Sequence, residues 1–391
     1  MDELVLRRRL EQYQPEPLVK LKSARSKSEI EKRRIDEDDA VDLARTDFFN
    51  VLNDGNIKKA AENAIRRYGV GTCGPRVFFG TTELHLDLEA SIAKWLGTEE
   101  CVVYSDGYVA ISSVVAAFCK RDDVVFVDES THVAILQSLM KLRSTIVYYK
   151  HNNPESFDAQ AQTASSKARK FLIAEGVSWS TGKILPLPQF LEVAERHKIR
   201  VFLDESYSVG VLGDGGRGVR EHFEVEPWRI DLIFGRLETT LSGVGGFCAG
   251  SLLNCECQFL CSPGLLFSAS LPAYLARACA ETIETLGDKP KKLRMLSRKF
   301  HDFLVASGYA VRSDPLSAFK VFAVGDGKED ENRYVHEYCQ RKGVYFIMRP
   351  ESMIINLNVG LLDDEGRFER VKDVLGKALT RALRMKETFA V

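Results

Sequence analysis

Two halves of one stretch decide the fold, RVFLDESYSVGVLGDGGRG (200–218) and DLIFGRLETTLSGVGGFCAG (231–250). Each half predicts a short buried strand that leads into a glycine-rich loop, and the first strand carries Asp204 to its carboxyl end. In open α/β sheets, ligands bind where such strands end. A cofactor site of this layout usually has a nucleophilic amine in the second half. No lysine occurs between Lys198 and Lys289.

Length and composition predict a large globular protein with two packed units. The chain has 391 residues, of which 45% are hydrophobic and 28% are charged. The net charge is -1, from 54 Lys and Arg against 55 Asp and Glu, so the chain has no overall field that would favour a nucleic-acid partner. Nine cysteines, mostly scattered through apolar runs, favour reduced thiols in the cytosol or at a cytosol-facing surface.

Short apolar runs alternate with helical patterns between about residues 56 and 285. The runs predict the strands CVVY (101–104), VVFV (124–127), TIVYY (145–149), FLIA (171–174), VFL (201–203) and LIF (232–234). Continuous apolar strands separated by helices predict a mostly parallel sheet covered by helices on both faces. After about residue 286, a charged helix, strand-like runs and an amphipathic helix from Asp363 to about Lys386 predict a smaller α+β domain.

The predicted domains are an N-terminal arm (1–45), a large domain (46–285) and a small C-terminal α+β domain (286–391). Blocks of opposite charge in the arm indicate either a solvated segment or one that docks along a partner subunit. No apolar run reaches the roughly 18 residues needed to span a bilayer, and the N-terminus has no signal-peptide core. We therefore expect a chain that is soluble or held on a membrane by another component.

Three features in the predicted large domain could bind a ligand. Asp204 is either a capping or ion-paired carboxylate or an acid aimed into a site, such as the charge partner of the pyridinium nitrogen of pyridoxal phosphate. His132 is either a hydrogen-bonded structural residue or a ring that stacks on an aromatic cofactor. SDGY (105–108) opens a helix, and its backbone N–H groups either bind a phosphate or are capped.

Seven motifs occur in the order found in the α-oxoamine synthases. They are GVGTCGPR (69–76), HLDLE (85–89), SDGY (105–108), DESTH (128–132), DESYSVGVLGDGGRG (204–218), GGFCAG (245–250) and FSASLP (267–272). The chain resembles this family from about residue 10 to near its C-terminus. Its members are fold-type I enzymes that use pyridoxal phosphate to condense an amino acid with an acyl-CoA. The resemblance implies a fold-type I aminotransferase-like α/β architecture.

Within the family, QPEPLV, YGVGTCGPR and GVLGDGGRGV are most similar to the long-chain base subunit 1 of the members that condense L-serine with palmitoyl-CoA to 3-oxosphinganine. This resemblance implies a required but non-catalytic subunit whose partner, the catalytic subunit 2, carries pyridoxal phosphate. It also implies that the protein is located at the cytosolic face of the endoplasmic reticulum membrane. Small regulatory membrane subunits would be further partners. Such relatives usually have a transmembrane helix before the arm. Three alternatives are open for this chain, which begins almost at the arm: it is a shortened form, a fragment, or a subunit held at the membrane through its partner.

The main departure from the catalytic pattern lies in the second half of the opening stretch. Catalytic members carry the cofactor lysine in a Gly-Thr-x-Ser/Thr-Lys turn, where this chain has Gly235, Arg236, Leu237, Glu238 and Thr239. A threonine hydroxyl cannot form an imine, so the resemblance implies no covalent pyridoxal phosphate on this chain. Trp179 and Thr181 replace a serine and an acid of the family. Ile354 falls near its carboxylate-binding arginine, and Arg349 lies close by in sequence.

Carried over by resemblance, the site residues form two sets. The first is a vestigial cofactor seat, comprising Ser105, Gly107, Tyr108, His132, Asp204 and Tyr207. The second set contributes to the partner's site across a subunit interface, and it comprises Cys73, Gly74, Arg76, Ser268 and Ser270. For Cys73, the alternative is a small residue required for close packing in a glycine-rich loop.

No metal site is predicted. Cys255, Cys257 and Cys261 lack a second ligand pair at zinc-site spacing, and by resemblance they lie where the family has a strand and a loop. Two functional alternatives remain open beside the non-catalytic subunit. One is a self-sufficient α-oxoamine synthase with an unconventional lysine, and the other is a non-enzymatic regulatory scaffold that binds a catalytic homologue.

Overall fold

A computed structural model describes residues 40–165, 167–241 and 243–389. The predicted arm lies almost entirely outside the described residues. From Val41 onward the chain forms one compact unit. The domain boundaries at residues 45 and 285 remain predictions.

Thirteen strands are found in the described part of the chain. They are β1 Val41–Asp42, β2 Glu100–Tyr104, β3 Val124–Asp128, β4 Thr145–Tyr149, β5 Lys170–Glu175, β6 Arg200–Asp204, β7 Leu232–Arg236, β8 Gly246–Gly250, β9 Ala310–Val311, β10 Phe319–Ala323, β11 Val344–Tyr345, β12 Ile347–Arg349 and β13 Ser352–Asn356. All six strands predicted before residue 240 are present, with ends within one or two residues of the apolar runs.

Helices occupy most of the connections between the strands. They are α1 Gly55–Tyr68, α2 Glu83–Leu96, α3 Gly107–Phe118, α4 Val133–Met140, α5 Pro154–Thr163, α6 Leu187–His197, α7 Val219–His222, α8 Leu252–Cys261, α9 Pro263–Leu266, α10 Ala273–Glu284, α11 Lys289–Ser307, α12 Glu329–Arg341, α13 Gly360–Asp363 and α14 Glu365–Phe389. Among the described residues, no helix is both long enough and apolar enough to cross a bilayer.

The central sheet has seven strands in the order β2-β8-β7-β6-β5-β3-β4. Only β8 runs antiparallel to its neighbours, so the sheet is mostly parallel. Successive residues of β5 pack into two separate hydrophobic clusters, one on each face of the sheet. Phe171 and Ile173 pack on one face, and Leu172 and Ala174 pack on the other. Burial of both faces explains why these strands are continuously apolar. The predicted α/β fold is confirmed.

The C-terminal part of the chain contributes a four-stranded antiparallel sheet in the order β12-β13-β10-β9. This sheet and the helices α11, α12 and α14 form the predicted α+β arrangement. The short strand β1 pairs in parallel with β11, so the last residues of the predicted arm are tied to the C-terminal part.

The prediction of a strand and loop for the cysteine-rich run was wrong, because Cys255, Cys257 and Cys261 all lie on helix α8. Ser251 caps this helix by accepting a hydrogen bond from the Asn254 backbone N–H at 3.3 Å. Cys255 and Gln258 are buried and lie three residues apart, on one face of the helix. Side-chain packing at helical spacing therefore decides the structure of this run.

Candidate functional site

Polar side chains meet at the carboxyl edge of the central sheet. Strands β5, β6 and β7 are adjacent and parallel, and they end at Glu175, Asp204 and Arg236. Glu175 and Asp204 are partners in the strand register. Because carboxyl ends of parallel strands share one edge, three residues distant in sequence converge there.

Asp204 is buried, with only 4% of its surface exposed. Its Oδ1 accepts a hydrogen bond from the Ser206 backbone N–H at 2.9 Å. Burial raises the pKa of Asp204, while hydrogen bonds from Ser206 and the positive charge of Arg236 act in the opposite direction. The positive charge that acts on this buried carboxylate belongs to Arg236 of the same chain.

His132 is held by several contacts at the start of helix α4. Its Nδ1 accepts the Ala134 backbone N–H at 3.1 Å, and its own backbone N–H donates to Glu175 Oε2 at 3.1 Å. The ring meets Trp179 edge to face, with centroids 4.9 Å apart. Burial and two nearby arginine guanidinium groups lower the pKa of His132 to about 4. The imidazole is therefore neutral at pH 7.

Tyr207 lies next to Asp204 and carries the guanidinium of Arg236 on its ring. The Arg236 Cζ atom is 4.8 Å from the Tyr207 ring centroid, a cation–π distance. On its other side the ring contacts Phe319 of β10, with centroids 4.7 Å apart. The Arg236 backbone N–H donates to Ser206 Oγ at 3.2 Å. Tyr207 thus links the carboxyl edge of the central sheet to the C-terminal sheet.

The SDGY segment forms a capped helix start. Asp106 Oδ1 accepts the backbone N–H groups of Tyr108 at 2.8 Å and Val109 at 3.3 Å. Gly107 is the first residue of α3 and is buried, whereas the Tyr108 side chain is exposed. Of the two alternatives, phosphate binding and capping, these two N–H groups therefore show capping. Ser105 Oγ lies 2.9 Å from Ser268 Oγ, so members of the two predicted residue sets touch.

Thr239 lies in the turn after β7 and is only 1% exposed. Its hydroxyl donates to the Arg236 backbone carbonyl at 3.3 Å. With a neutral hydroxyl in this position and the Arg236 side chain beside Asp204, the residues present do not fit a covalently held pyridoxal phosphate.

Trp179 and Arg349 lie at the site although only Trp179 belongs to a motif of the family. The Arg349 guanidinium is 4.3 Å from the Trp179 ring centroid and donates to the Trp179 backbone carbonyl at 3.2 Å. Ile354 instead lies in the core of the C-terminal sheet, paired with Val321. Glu175 was also missed, although its position directly after the apolar run FLIA marks a strand end that could have identified it.

Residues 69–80 and 267–272 form a two-part surface, here called the interface loop pair. The Gly74 carbonyl accepts both the backbone N–H and the hydroxyl of Ser270, each at 3.0 Å. Cys73 is exposed and has a φ of 55°, a left-handed conformation that is uncommon for a residue with a side chain. These contacts join Gly74 and Ser270, two of the five residues predicted to border a partner's site, and Cys73 directly precedes Gly74.

Arg76 is the exception, because it is buried inside its own chain. Its guanidinium forms two hydrogen bonds with Glu89, at 2.7 and 3.0 Å, and one with the Val103 carbonyl at 3.0 Å. A role at a partner's site could therefore be only indirect, through the position of the loop.

Metal ligands are not clustered in the part of the chain that the structure describes. None of its histidine, cysteine, aspartate and glutamate side chains form a group of three or more that could hold a metal ion.

The family model for aminotransferases of class I and II matches residues 44–382. "Serine palmitoyltransferase 1" of Dictyostelium discoideum is 42% identical over 262 residues, which cover 66% of this chain and 55% of that protein. Five curated relatives, among them this one, are matched over 53% to 62% of their own length. The chain thus spans a little over half of these relatives.

Solved structures show the same fold. A serine palmitoyltransferase of Sphingomonas wittichii has a TM-score of 0.83 and 25% identity, and the match covers 88% of both chains. A structure described as SPT with a PLP internal aldimine has a TM-score of 0.83 and 24% identity, also with 88% coverage of both chains. Pyridoxal phosphate is therefore a cofactor found on this fold.

Proposed function

The chain belongs to the family of class I and II aminotransferases, and on this basis we propose that it is the non-catalytic subunit 1 of a serine palmitoyltransferase. The assembled enzyme would condense L-serine with palmitoyl-CoA to 3-oxosphinganine, with release of CO2 and CoA. The catalytic subunit 2 would carry the cofactor lysine and the pyridoxal phosphate. The named relatives support the choice of this enzyme.

One residue carries the proposal: Thr239, which the resemblance assigns to the position of the cofactor lysine, lies in the turn after β7. The hydroxyl is buried and bound to a backbone carbonyl of its own turn. Pyridoxal phosphate supplies an electron sink when it is bound through a lysine amine, and a hydroxyl offers no equivalent bond. This chain would therefore contribute structure and surface residues, while the reaction takes place on its partner.

An exposed apolar surface at the interface loop pair supports a partner subunit. Phe79 is 97% exposed and Phe267 is 83% exposed, and Phe78 and Val70 of the same loops are also exposed. Large aromatic side chains grouped in this way mark protein interaction sites. The partner's site would thus border Cys73, Gly74, Ser268 and Ser270.

The alternative of an unconventional lysine receives no support from Lys320. Burial lowers the pKa of this lysine to about 7, which would make it a candidate nucleophile. Its Nζ, however, donates to the backbone carbonyls of Asp314 and Pro315. The adjacent strand residues Phe319 and Val321 face Tyr207, so Lys320 faces away from the site.

The proposal also includes a location at the cytosolic face of the endoplasmic reticulum membrane. It further includes small regulatory membrane subunits as partners. Both follow from the resemblance to subunit 1 proteins, and fractionation of the tagged chain with and without subunit 2 would test the location.

Reductive trapping tests the assignment of the cofactor to the partner. The chain is expressed alone, subunit 2 is expressed alone, and the two are expressed together. Each sample receives pyridoxal phosphate and then borohydride. We expect a phosphopyridoxyl-lysine on a subunit 2 peptide and none on this chain, with condensing activity only when both subunits are present. An adduct on this chain together with activity in the absence of subunit 2 would contradict the proposal.

A second comparison separates the required subunit from a regulatory scaffold. Replacement of Cys73 by leucine is expected to lower the activity of the assembled enzyme, because the side chain would border the partner's substrate site. Full activity of a complex that contains this variant would favour the scaffold.

A further inference from the structure

The Arg236 side chain crosses the predicted cofactor seat. A Cβ atom placed on Gly107 would lie 2.4 Å from Arg236 Cγ and 2.9 Å from its Cδ, so the arginine runs directly against the start of helix α3. Its guanidinium then lies over the ring of Tyr207 and close enough to Asp204 to influence its charge. One side chain therefore extends from the end that would receive a phosphate to the acid that would face a pyridinium.

The charge of Arg236 also reaches the third predicted ligand residue, His132, whose pKa it helps to lower. Gly107 and Tyr207 thus lie against this arginine, and its charge acts on Asp204 and His132. Two of the six residues predicted to surround a cofactor instead contact a side chain of the same protein.

The phosphate end of the seat carries negative charge. Glu238 Oε1 would lie 2.9 Å from a Cβ on Gly107, and it is 3.8 Å from Arg236 Nε. The Asp106 carboxylate caps the same helix end. Two carboxylates at this position would repel a phosphate dianion, and they already use the favourable field of the helix start.

We propose that Arg236 and Glu238 close the cofactor seat from within, so that this chain excludes pyridoxal phosphate independently of its missing lysine. Arg236 supplies the positive charge beside Asp204, and Glu238 supplies the negative charge beside α3. The positive charge that acts on the retained Asp204 then comes from an internal arginine. The inference goes beyond the proposed function, because it concerns the folded chain whether or not subunit 2 is present.

Stepwise restoration of the family's turn tests this closure. The first variant is Thr239→Lys, and the second combines it with Arg236→Thr and Glu238→Ser. Both are incubated with pyridoxal phosphate, examined by absorption spectroscopy, trapped with borohydride and analysed by peptide mass spectrometry. In the single variant, we expect no phosphopyridoxyl adduct at position 239. In the triple variant, we expect a clear adduct at that position.

Three results would overturn the closure. They are saturable cofactor binding by the unmodified chain, an adduct in the single variant, and a folded triple variant that forms no adduct. Circular dichroism and the melting temperature establish whether each variant is folded. Because every measurement uses the isolated chain, failure of the closure is distinguishable from failure of the assignment to serine palmitoyltransferase.

A double-mutant cycle tests the electrostatic coupling of Arg236 to Asp204 without cofactor, and it tests the closure if the triple variant does not fold. Arg236→Met should lower the melting temperature by several degrees, because it removes the positive charge that acts on the buried Asp204 carboxylate. Addition of Asp204→Asn should restore part of that loss. Arg349→Met is the matched control, because Arg349 stacks on Trp179, and its effect should add to that of Asp204→Asn. Additive effects of Arg236→Met and Asp204→Asn would contradict the proposed pairing.

Discussion

At the scale of single residues, two arginines differ in how their charge is compensated. Arg76 and Glu89 form a bidentate pair in which the Glu89 Oε1 atom also accepts the Val103 backbone N–H at 2.8 Å. Arg236 makes only a longer contact with Glu238, at 3.8 Å, and its charge also acts on Asp204. Breaking a buried pair costs far more than its intact form contributes, because one charge is left without compensation.

The Arg76 pair leads to a prediction about stability. Arg76→Met should lower the free energy of unfolding by about 3–5 kcal/mol, because Glu89 would remain buried and unpaired. Chemical denaturation of the isolated chain measures this change. Arg67→Met is the matched control, because Arg67 and Glu83 are exposed and 3.2 Å apart, and such a surface pair contributes less than about 1 kcal/mol. A loss of similar size in both variants would contradict the prediction.

At the scale of elements, close backbone packing holds the interface loop pair together. A Cβ atom on Gly80 would lie 1.9 Å from the Gly74 carbonyl oxygen and 2.3 Å from Ser270 Oγ. The same carbonyl receives both hydrogen bonds from Ser270. The conformation around Cys73 therefore depends on a glycine seven residues further along the chain.

Gly80→Ala should separate the two loops and reduce assembly with subunit 2. The added methyl group cannot fit without moving the Gly74 carbonyl, which would break its contact with Ser270. Co-purification with tagged subunit 2 and the melting temperature of the isolated chain measure the two effects. Gly71→Ala is the matched control in the same loop, since no atom lies within 4 Å of a Cβ placed there. Normal assembly of the Gly80→Ala variant would contradict this role of the loop.

At the scale of the whole molecule, the exposed apolar surface of the interface loop pair adjoins the predicted cofactor seat, because Ser268 of one touches Ser105 of the other. Phe79 and Phe267 project from the two loops, while Thr239 and Asp204 are buried. The described structure therefore combines a filled seat with an exposed contact surface. This combination suits a subunit that completes another chain's site.

Replacement of Phe79 and Phe267 by serine should weaken assembly with subunit 2 by at least about 10-fold, because exposed aromatic anchors carry much of the energy of an interface. The isolated variant should retain its melting temperature. Trp228→Ser is the control: Trp228 is also exposed, but it lies just before the amino end of β7, at the opposite edge of the sheet from the site. Unchanged affinity of the double variant, measured by titration of labelled subunit 2, would contradict this surface assignment.

The sequence alone predicted the architecture, and it is the basis of the proposal that this chain lacks the cofactor amine. The apolar runs predicted six strands of the central sheet, because burial on both faces leaves a direct signature in composition. The motif order indicated the family, and Thr239 indicated the absent amine. The tertiary structure alone decided where the charged side chains went. Arg236 reaches Gly107 and Asp204, Arg76 turns inward to Glu89, and α8 replaces the expected strand. Backbone patterns are local, whereas the direction of a long charged side chain depends on partners that folding brings from distant parts of the sequence.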